Sequence, residues 1–239
     1  MLQTKRPWGF FWPQRQEVPL LAQEYLVRPS PDKRLSWRDL TFAVVDIETS
    51  GLNAKQDAIL AIGLVKIHAG RIQAGQNWYS LVRPPEDVLV GADSIRIHGL
   101  LRAELAQAPK AAEVLQKLLL QLRDCVLLVH VAAIDVEFLN RALKHHFGIK
   151  LRGPALDTAR LAHNLNEREF FLQGEGVEKA PNFNLKTLSQ RAGLPTFAQH
   201  HALSDALTTA QLFLAQASRL ERQGSGTLAK LLQAGGCLK

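Results

Sequence analysis

Three observations predict an α/β chain built on a mixed five-stranded sheet flanked by helices. Three β-type apolar runs follow one another from residue 41, strand and helix periods alternate from about residue 111, and a last long helix follows near residue 202.

Taken in order, Phe42-Ala-Val-Val-Asp-Ile opens the pattern as a β-rich apolar run, and Ala58 to His68 and Ile72 to Val82 read as two further strands. Gly70 supplies a turn between the last two, so the three make an antiparallel meander. A helix is expected from about Ala111 to Arg123, where Leu115, Leu118, Leu119 and Leu122 form an apolar stripe. Val126 to His130 reads as a short buried strand. The helix after it, Asp135 to His146, puts Val136, Leu139 and Leu143 on one face, with Asp135 suited to its first turn. A fifth strand ends near Leu156. Residues 166 to 183, with Gly174, Gly176 and Pro181, read as a loop before helices at about Leu185 to Ala192 and Ala202 to Arg222. The folded domain is therefore expected over 41–220, followed by a short C-terminal tail over 221–239. That tail carries a Gly-Ser-Gly break at 224–226 and one helical stretch, Thr227 to Gln233.

Residues 1–40 form an extension of different texture, holding three of the four tryptophans (Trp8, Trp12, Trp37) and five prolines. Such tryptophans can stack on nucleic-acid bases, but the large area that an indole buries favours packing against the host domain. At 46% hydrophobic and 21% charged, the 239-residue chain has an ordinary globular composition, which excludes disordered, collagenous and disulfide-scaffold classes. Its two cysteines, Cys125 and Cys237, are far apart and fit a reducing cytoplasm. The basic pair Lys5 and Arg6 precedes only a short apolar stretch between Pro7 and Pro13, so no signal peptide is expected. No window approaches the roughly 20 apolar residues that a membrane helix needs. The formal charge of +7, of which residues 1–40 supply +3, favours a polyanionic partner without identifying it.

Chemistry concentrates in Val44-Val-Asp46-Ile-Glu48-Thr-Ser-Gly51, where two acids one residue apart close an apolar strand. Strand alternation turns Asp46 and Glu48 to one face. Carboxylates so placed repel each other unless one is protonated or a cation lies between them, and all-oxygen ligation favours a hard cation such as Mg²⁺ or Mn²⁺. The bland alternative is a pair of acids that merely caps a loop. Asp135 opens a helix after a buried strand, and Asp205 opens the last long helix behind His200-His201-Ala-Leu-Ser. Singly, each could serve only the helix dipole.

Together these residues resemble the DEDDh exonucleases, the DnaQ-like family of bacterial proofreading subunits, oligoribonuclease and ribonuclease T. The resemblance runs from about Thr41 to Leu220. Its first motif is Asp46-Ile-Glu48-Thr49-Ser50-Gly51, its second places an acid at Asp135, and its third, HxAxxDA, falls on His200, Ala202, Asp205 and Ala206. Ile97-His98-Gly99-Leu100 and Leu156-Asp157-Thr158 match further landmarks. The chain departs from the family at Val131, where Asn is usual, and at Ala61, where Glu is common.

The resemblance implies a ribonuclease H-like fold and a metal-dependent 3′-to-5′ exonuclease. Asp46, Glu48, Asp135 and Asp205 would bind two divalent cations, Mg²⁺ or Mn²⁺, and His200 would be the general base. A histidine, with an ordinary pKa of about 6.5, suits that role near neutral pH. His201 competes for it, because a helix that included His201 would set it four residues from Asp205 on one face; the family register favours His200. Thr49, Gly51 and His98 would contact the terminal nucleotide. His130 reads as a structural residue at a strand end, and Asp157 as a helix cap. Single-stranded DNA or RNA 3′ ends are the implied partners, DNA being the first expectation, with a catalytically silent nucleic-acid-binding module as the rival. The tail is short for a separate polymerase-binding domain, so association with a polymerase has no support in the sequence.

Overall fold

The computed structural model describes residues 19–173, 182–195, 197 and 200–238. Trp8, Trp12, the Lys5-Arg6 pair, and Gly174, Gly176 and Pro181 of the expected loop lie outside the described residues.

The chain begins with helix α1 (Leu20–Val27) and a short 3₁₀ turn (Trp37–Asp39), then enters strand β1 (Thr41–Thr49). Strands β2 (Ile59–His68), β3 (Arg71–Ile72) and β4 (Trp78–Leu81) follow, then helices α2 (Ala92–His98), α3 (Arg102–Gln107) and α4 (Ala111–Leu122). Strand β5 (Val126–Val129), helix α5 (Ala132–Phe147), strand β6 (Ala155–Asp157) and helix α6 (Thr158–Gln173) carry the strand-helix alternation. Helices α7 (Leu185–Arg191), α8 (Ala202–Arg222) and α9 (Leu228–Gly235) lead to a last strand, β7 (Gly236–Leu238).

The α/β architecture is the expected one, but the sheet has seven strands rather than five. Its order is β3-β2-β1-β5-β6-β7, with β4 also paired to β2. β1 runs antiparallel to β2 and parallel to β5, so the central strand is covered on both faces and reads as a nearly unbroken apolar run. The third expected strand is two pieces, because a 3₁₀ turn at Ala74–Gln76 interrupts it, and both pieces pair with β2. The supposed loop at 166 is helix as far as Gln173, since the helix breakers begin only at Gly174. β7 adds a three-residue strand antiparallel to β6 and closes that sheet edge, which would otherwise offer unpaired backbone groups.

The odd residues of β1 (Ala43, Val45, Ile47) pack with α4 and α5, and the even ones (Phe42, Val44) pack with α6, α8 and α9. The residues before β1 are part of this packing. Trp37 is 1% exposed, meets Phe213 edge to face at 5.8 Å and lies under the Arg38 guanidinium. Buried Arg28 donates to the carbonyls of Leu122, Cys125 and Arg152, which ties the segment after α1 to the end of α4, where a cation suits the helix dipole.

The turn into α5 holds Val131 at φ 60°, in the left-handed region that a β-branched residue enters at a cost of about 1–2 kcal/mol. Asn tolerates this conformation. Val131→Asn is therefore expected to stabilise the fold by about 1 kcal/mol, read as a higher midpoint in urea; an unchanged or lower midpoint refutes the strain.

Candidate active site

β1 delivers Asp46 and Glu48 to the face that α8 covers. α8 can lie there because β2 has a glycine opposite Asp46: Gly63 pairs with Asp46 in register, and a Cβ built on Gly63 would stand 2.3 Å from the Ala202 carbonyl carbon. The first turn of α8 thus sits directly on β2 and brings Asp205 beside the two β1 acids. Asp46, Glu48 and Asp205 can place one carboxylate oxygen each within 4.8 Å of one another. Asp135, buried in the first turn of α5, stands next to Asp46, whose carboxyl its charge pushes up, but lies outside that tightest trio. A compact all-oxygen donor set that no Lys or Arg pairs with among the described residues is what a hard divalent cation fits.

The acids carry the electrostatic cost of their grouping. Burial lifts Asp46 well above the carboxylate range, and the charges of Asp135, Asp205 and Glu48 add to it. Burial also raises Asp135, against a backbone amide at Ile47 that favours its charged form. For Asp205 burial again dominates, while the His200 amide and the two adjacent histidines oppose it. Glu48, 9% exposed, is pushed from 4.5 to about 7 by burial and then by Asp205.

A carboxyl whose folded pKa is raised takes up a proton on folding, so the stability it contributes is full below about 4.5 and is lost as pH rises through about 7. For Glu48 that span is worth about 3 kcal/mol. The metal-free protein is therefore expected to melt roughly 10 °C lower at pH 8 than at pH 5. Glu48→Gln removes its share of this drop and leaves that of the other three acids, and a divalent cation restores stability at pH 8 by binding the native state. A melting temperature that rises from pH 5 to pH 8 in the absence of metal overturns this.

The histidines separate. His200 is exposed, has a positive φ of 61°, and donates its backbone N–H to Asp205 Oδ2 at 2.8 Å. His201 precedes α8 as its N-terminal flanking residue rather than joining the helix, and its ring stacks on Tyr79 at 4.8 Å with a 15° tilt. Glu48 is close enough to Tyr79 for its charge to add to the effect of burial in raising the phenol.

His98 is only 8% exposed and committed within the protein. Its Nδ1 accepts from the Leu100 amide at 3.0 Å, which leaves the proton on Nε2, 2.7 Å from Ser94 Oγ; Ser94 in turn donates to the Thr49 carbonyl at 3.1 Å. This relay pins the end of β1 to α2. Thr49 Oγ1 donates to the Gly51 carbonyl, so its hydroxyl also serves the turn. At Gly51 the space for a Cβ is taken by the Asp57 carboxylate, 2.5 Å away, which accepts from Ser50 Oγ and the Asn53 amide. A side chain at Gly51 would have to displace the Asp57 carboxylate.

Asp57, Ser94 and Tyr79 carried no signal in the sequence. Gly63 did: an isolated glycine inside an apolar strand marks close approach of another backbone. Asp157 is a cap twice over, accepting from Ala159 at the start of α6 and from Val131 and Ala132 at the start of α5. His130 Nδ1 lies 2.8 Å from Thr158 Oγ1, away from the acid trio's ligand set. Among the described residues no helix is long and apolar enough to cross a membrane.

Comparisons with known proteins show the family. A family model described as an exonuclease, of the ribonuclease T type, matches residues 43–213. The DNA polymerase III subunit epsilon of Aquifex aeolicus is 30% identical over 193 residues, covering 77% of this chain and 86% of that protein. A PolC-type DNA polymerase III of Thermotoga maritima is 31% identical over 193 residues, 81% of this chain but 13% of that much longer protein. Among solved structures, Escherichia coli exonuclease I in complex with a dT13 oligonucleotide superposes with a TM-score of 0.62 at 16% identity, over 77% of this chain and 42% of that one, a likeness of fold. With the family match spanning the strand that bears Asp46 and the helix that bears Asp205, the chain belongs to the ribonuclease T-type exonuclease family of the DnaQ-like 3′-to-5′ exonuclease superfamily.

Proposed function

We propose that the chain is a metal-dependent 3′-to-5′ exonuclease that releases nucleoside monophosphates from single-stranded DNA, with residues 41–220 as its catalytic unit in a cytoplasmic setting. The observation that carries this reading is the convergence of Asp46, Glu48 and Asp205 within 4.8 Å, with Asp135 alongside. Four buried or half-buried acids with no Lys or Arg paired to them among the described residues are costly to keep unless they hold metal.

Two divalent cations, Mg²⁺ or Mn²⁺, held by these four carboxylates would supply an activated water and neutralise charge on the leaving 3′ oxygen. His200 takes the proton from the attacking water as the new bond to phosphorus forms and the bond from phosphorus to the 3′ oxygen breaks. Its backbone is anchored for this by the hydrogen bond to Asp205. The exposed placement of His200 supports the assignment, as does the parking of the His201 ring on Tyr79. The turn bearing Thr49 and Gly51 contacts the terminal nucleotide through its backbone, while His98 holds that turn through Ser94.

His200→Ala is expected to lower kcat about 10²–10⁴-fold, the usual worth of general-base catalysis, while His201→Ala retains most turnover. The reverse pattern would reassign the base to His201. The function itself is tested with 3′-labelled DNA and RNA oligonucleotides and Mg²⁺ or Mn²⁺. Metal-dependent release of mononucleotides from single-stranded DNA is the expected result. Faster release from RNA transfers the reading to RNA, and binding without release leaves a silent nucleic-acid-binding module. A dT13 oligonucleotide in the exonuclease I structure supports DNA as the first substrate to try. The Aquifex relative, named as a polymerase III subunit, makes a polymerase the partner to seek by co-purification.

A further inference from the structure

A cavity of about 700 Å³ opens on the face of the sheet opposite α8, between the loop that follows β1, the loop after β4, and α5. Its apolar floor includes Ile59, Ile62 and Phe138. Around the rim stand Lys55, Arg83, Arg141, Lys144, His145 and His146. Two acids also face it. One of them, Asp57, is committed to Ser50 and Asn53, which leaves Asp87 as the free opposing charge on the rim.

Lys144, His145 and His146 lie in the last turn of α5, where cations suit the helix dipole without any ligand. That explanation does not reach Lys55 or Arg83, which come from two other segments and converge on the same opening. Among the described residues no carboxylate pairs with Lys55, Arg83, Arg141 or Lys144. Arg141 instead donates to the Lys55 carbonyl at 3.0 Å, bridging the two walls, and Arg83, which also lines the opening, uses its Nε on the Ala108 carbonyl. Unneutralised positive charge over an apolar floor suits a nucleic-acid strand, whose phosphates meet the cations while its bases cover the floor.

The placement relative to the acid cluster decides which part of a strand this would be. Asp135 and the groove share one helix: Arg141 and Lys144 lie six and nine residues beyond Asp135, about 9 and 14 Å along the axis. The loop that carries Lys55 follows directly on the turn of Thr49 and Gly51. At about 3.4 Å per nucleotide, the groove is reached three to four nucleotides from the cluster, and sooner by a stretched strand.

We infer that this groove binds the phosphate backbone of the substrate strand on the 5′ side of the terminal nucleotide, so that affinity grows with strand length. The inference rests on the exonuclease reading for its occupant, but binding tests it separately. The full chain in EDTA is titrated with 5′-labelled dT3, dT6 and dT12, read by fluorescence anisotropy. Wild-type affinity rises from dT3 to dT12. In Lys55→Glu/Lys144→Glu the dT12 affinity falls at least tenfold, the gain with length disappears, and the dependence of log affinity on log salt flattens by roughly one to two. The neutral pair Lys55→Gln/Lys144→Gln gives a smaller loss in the same direction, and far-UV circular dichroism of both variants checks the fold. Unchanged dT12 affinity and salt slope in both variants overturn the groove. Hydrolysis of thymidine 5′-monophosphate p-nitrophenyl ester by the wild-type chain with Mn²⁺ is a separate readout. That ester is too short to reach the groove, so its outcome bears on the exonuclease reading alone.

Discussion

Asp46→Asn is expected to abolish turnover and stabilise the metal-free protein at once. Asp46 is the acid on which all the other three act: Asp135, Asp205 and Glu48 each push its carboxyl up, on top of the effect of burial. Asparagine keeps the shape and removes the charge. At pH 8 the repulsion is relieved and the metal-free melting temperature rises by several degrees. The same change deletes a ligand from a trio whose oxygens come within 4.8 Å of one another. Loss of several kcal/mol of transition-state stabilisation corresponds to a fall in kcat of about a thousandfold or more. Opposite signs for stability and activity are the mark of a site strained for function. A variant that is both less active and less stable would mean that Asp46 serves the fold.

Gly63→Ala is expected to cost nearly as much without touching an acid. The added methyl group would meet the backbone of Ala202 and Leu203 at 2.3 Å, and backbone cannot rotate away as a flexible side chain can. The first turn of α8 must lift, carrying with it Asp205 and the anchored amide of His200. A displacement near 1 Å at the reacting centre costs roughly a hundredfold in rate, and the loss belongs in kcat and metal affinity more than in KM for the nucleic acid. Thermal melting and Mn²⁺ titration separate this from global unfolding. A Gly63→Ala enzyme that folds and keeps wild-type kcat and Mn²⁺ affinity would show that α8 does not depend on the glycine.

Several features were legible because they obey short periods. Alternation put Asp46 and Glu48 on one face, and the long helix expected at about Ala202 to Arg222 is α8, Ala202–Arg222. Where the reading of elements failed, the signal was weak or the rule local. Gly174 and Gly176 drew a loop back to residue 166, although Glu167, Arg168 and Glu169 are good helix formers and α6 runs on to Gln173. β3 is two residues long and β7 three, too short to show a period of two, and each exists because a neighbouring strand supplies its hydrogen bonds. The segment before β1 has little sustained periodicity; Trp37 packs against the domain as expected, while α1 and the burial of Arg28 by carbonyls more than 90 residues away had no signal in it.

The site divides in the same way. By itself the sequence determined which acids there are, their order, the strand or helix end on which each sits and, through the motifs, the family. Only the tertiary structure decided that acids 46, 48 and 205 meet within one ligand shell, that His98 faces inward to Ser94, that Asp57 fills the space under Gly51, and that the cations of two loops and α5 share one groove. Periodicity is a property of neighbours along the chain, whereas these contacts join segments up to about 160 residues apart. Their geometry is fixed by how helices pack on a sheet, and in this chain by one missing methyl group at Gly63.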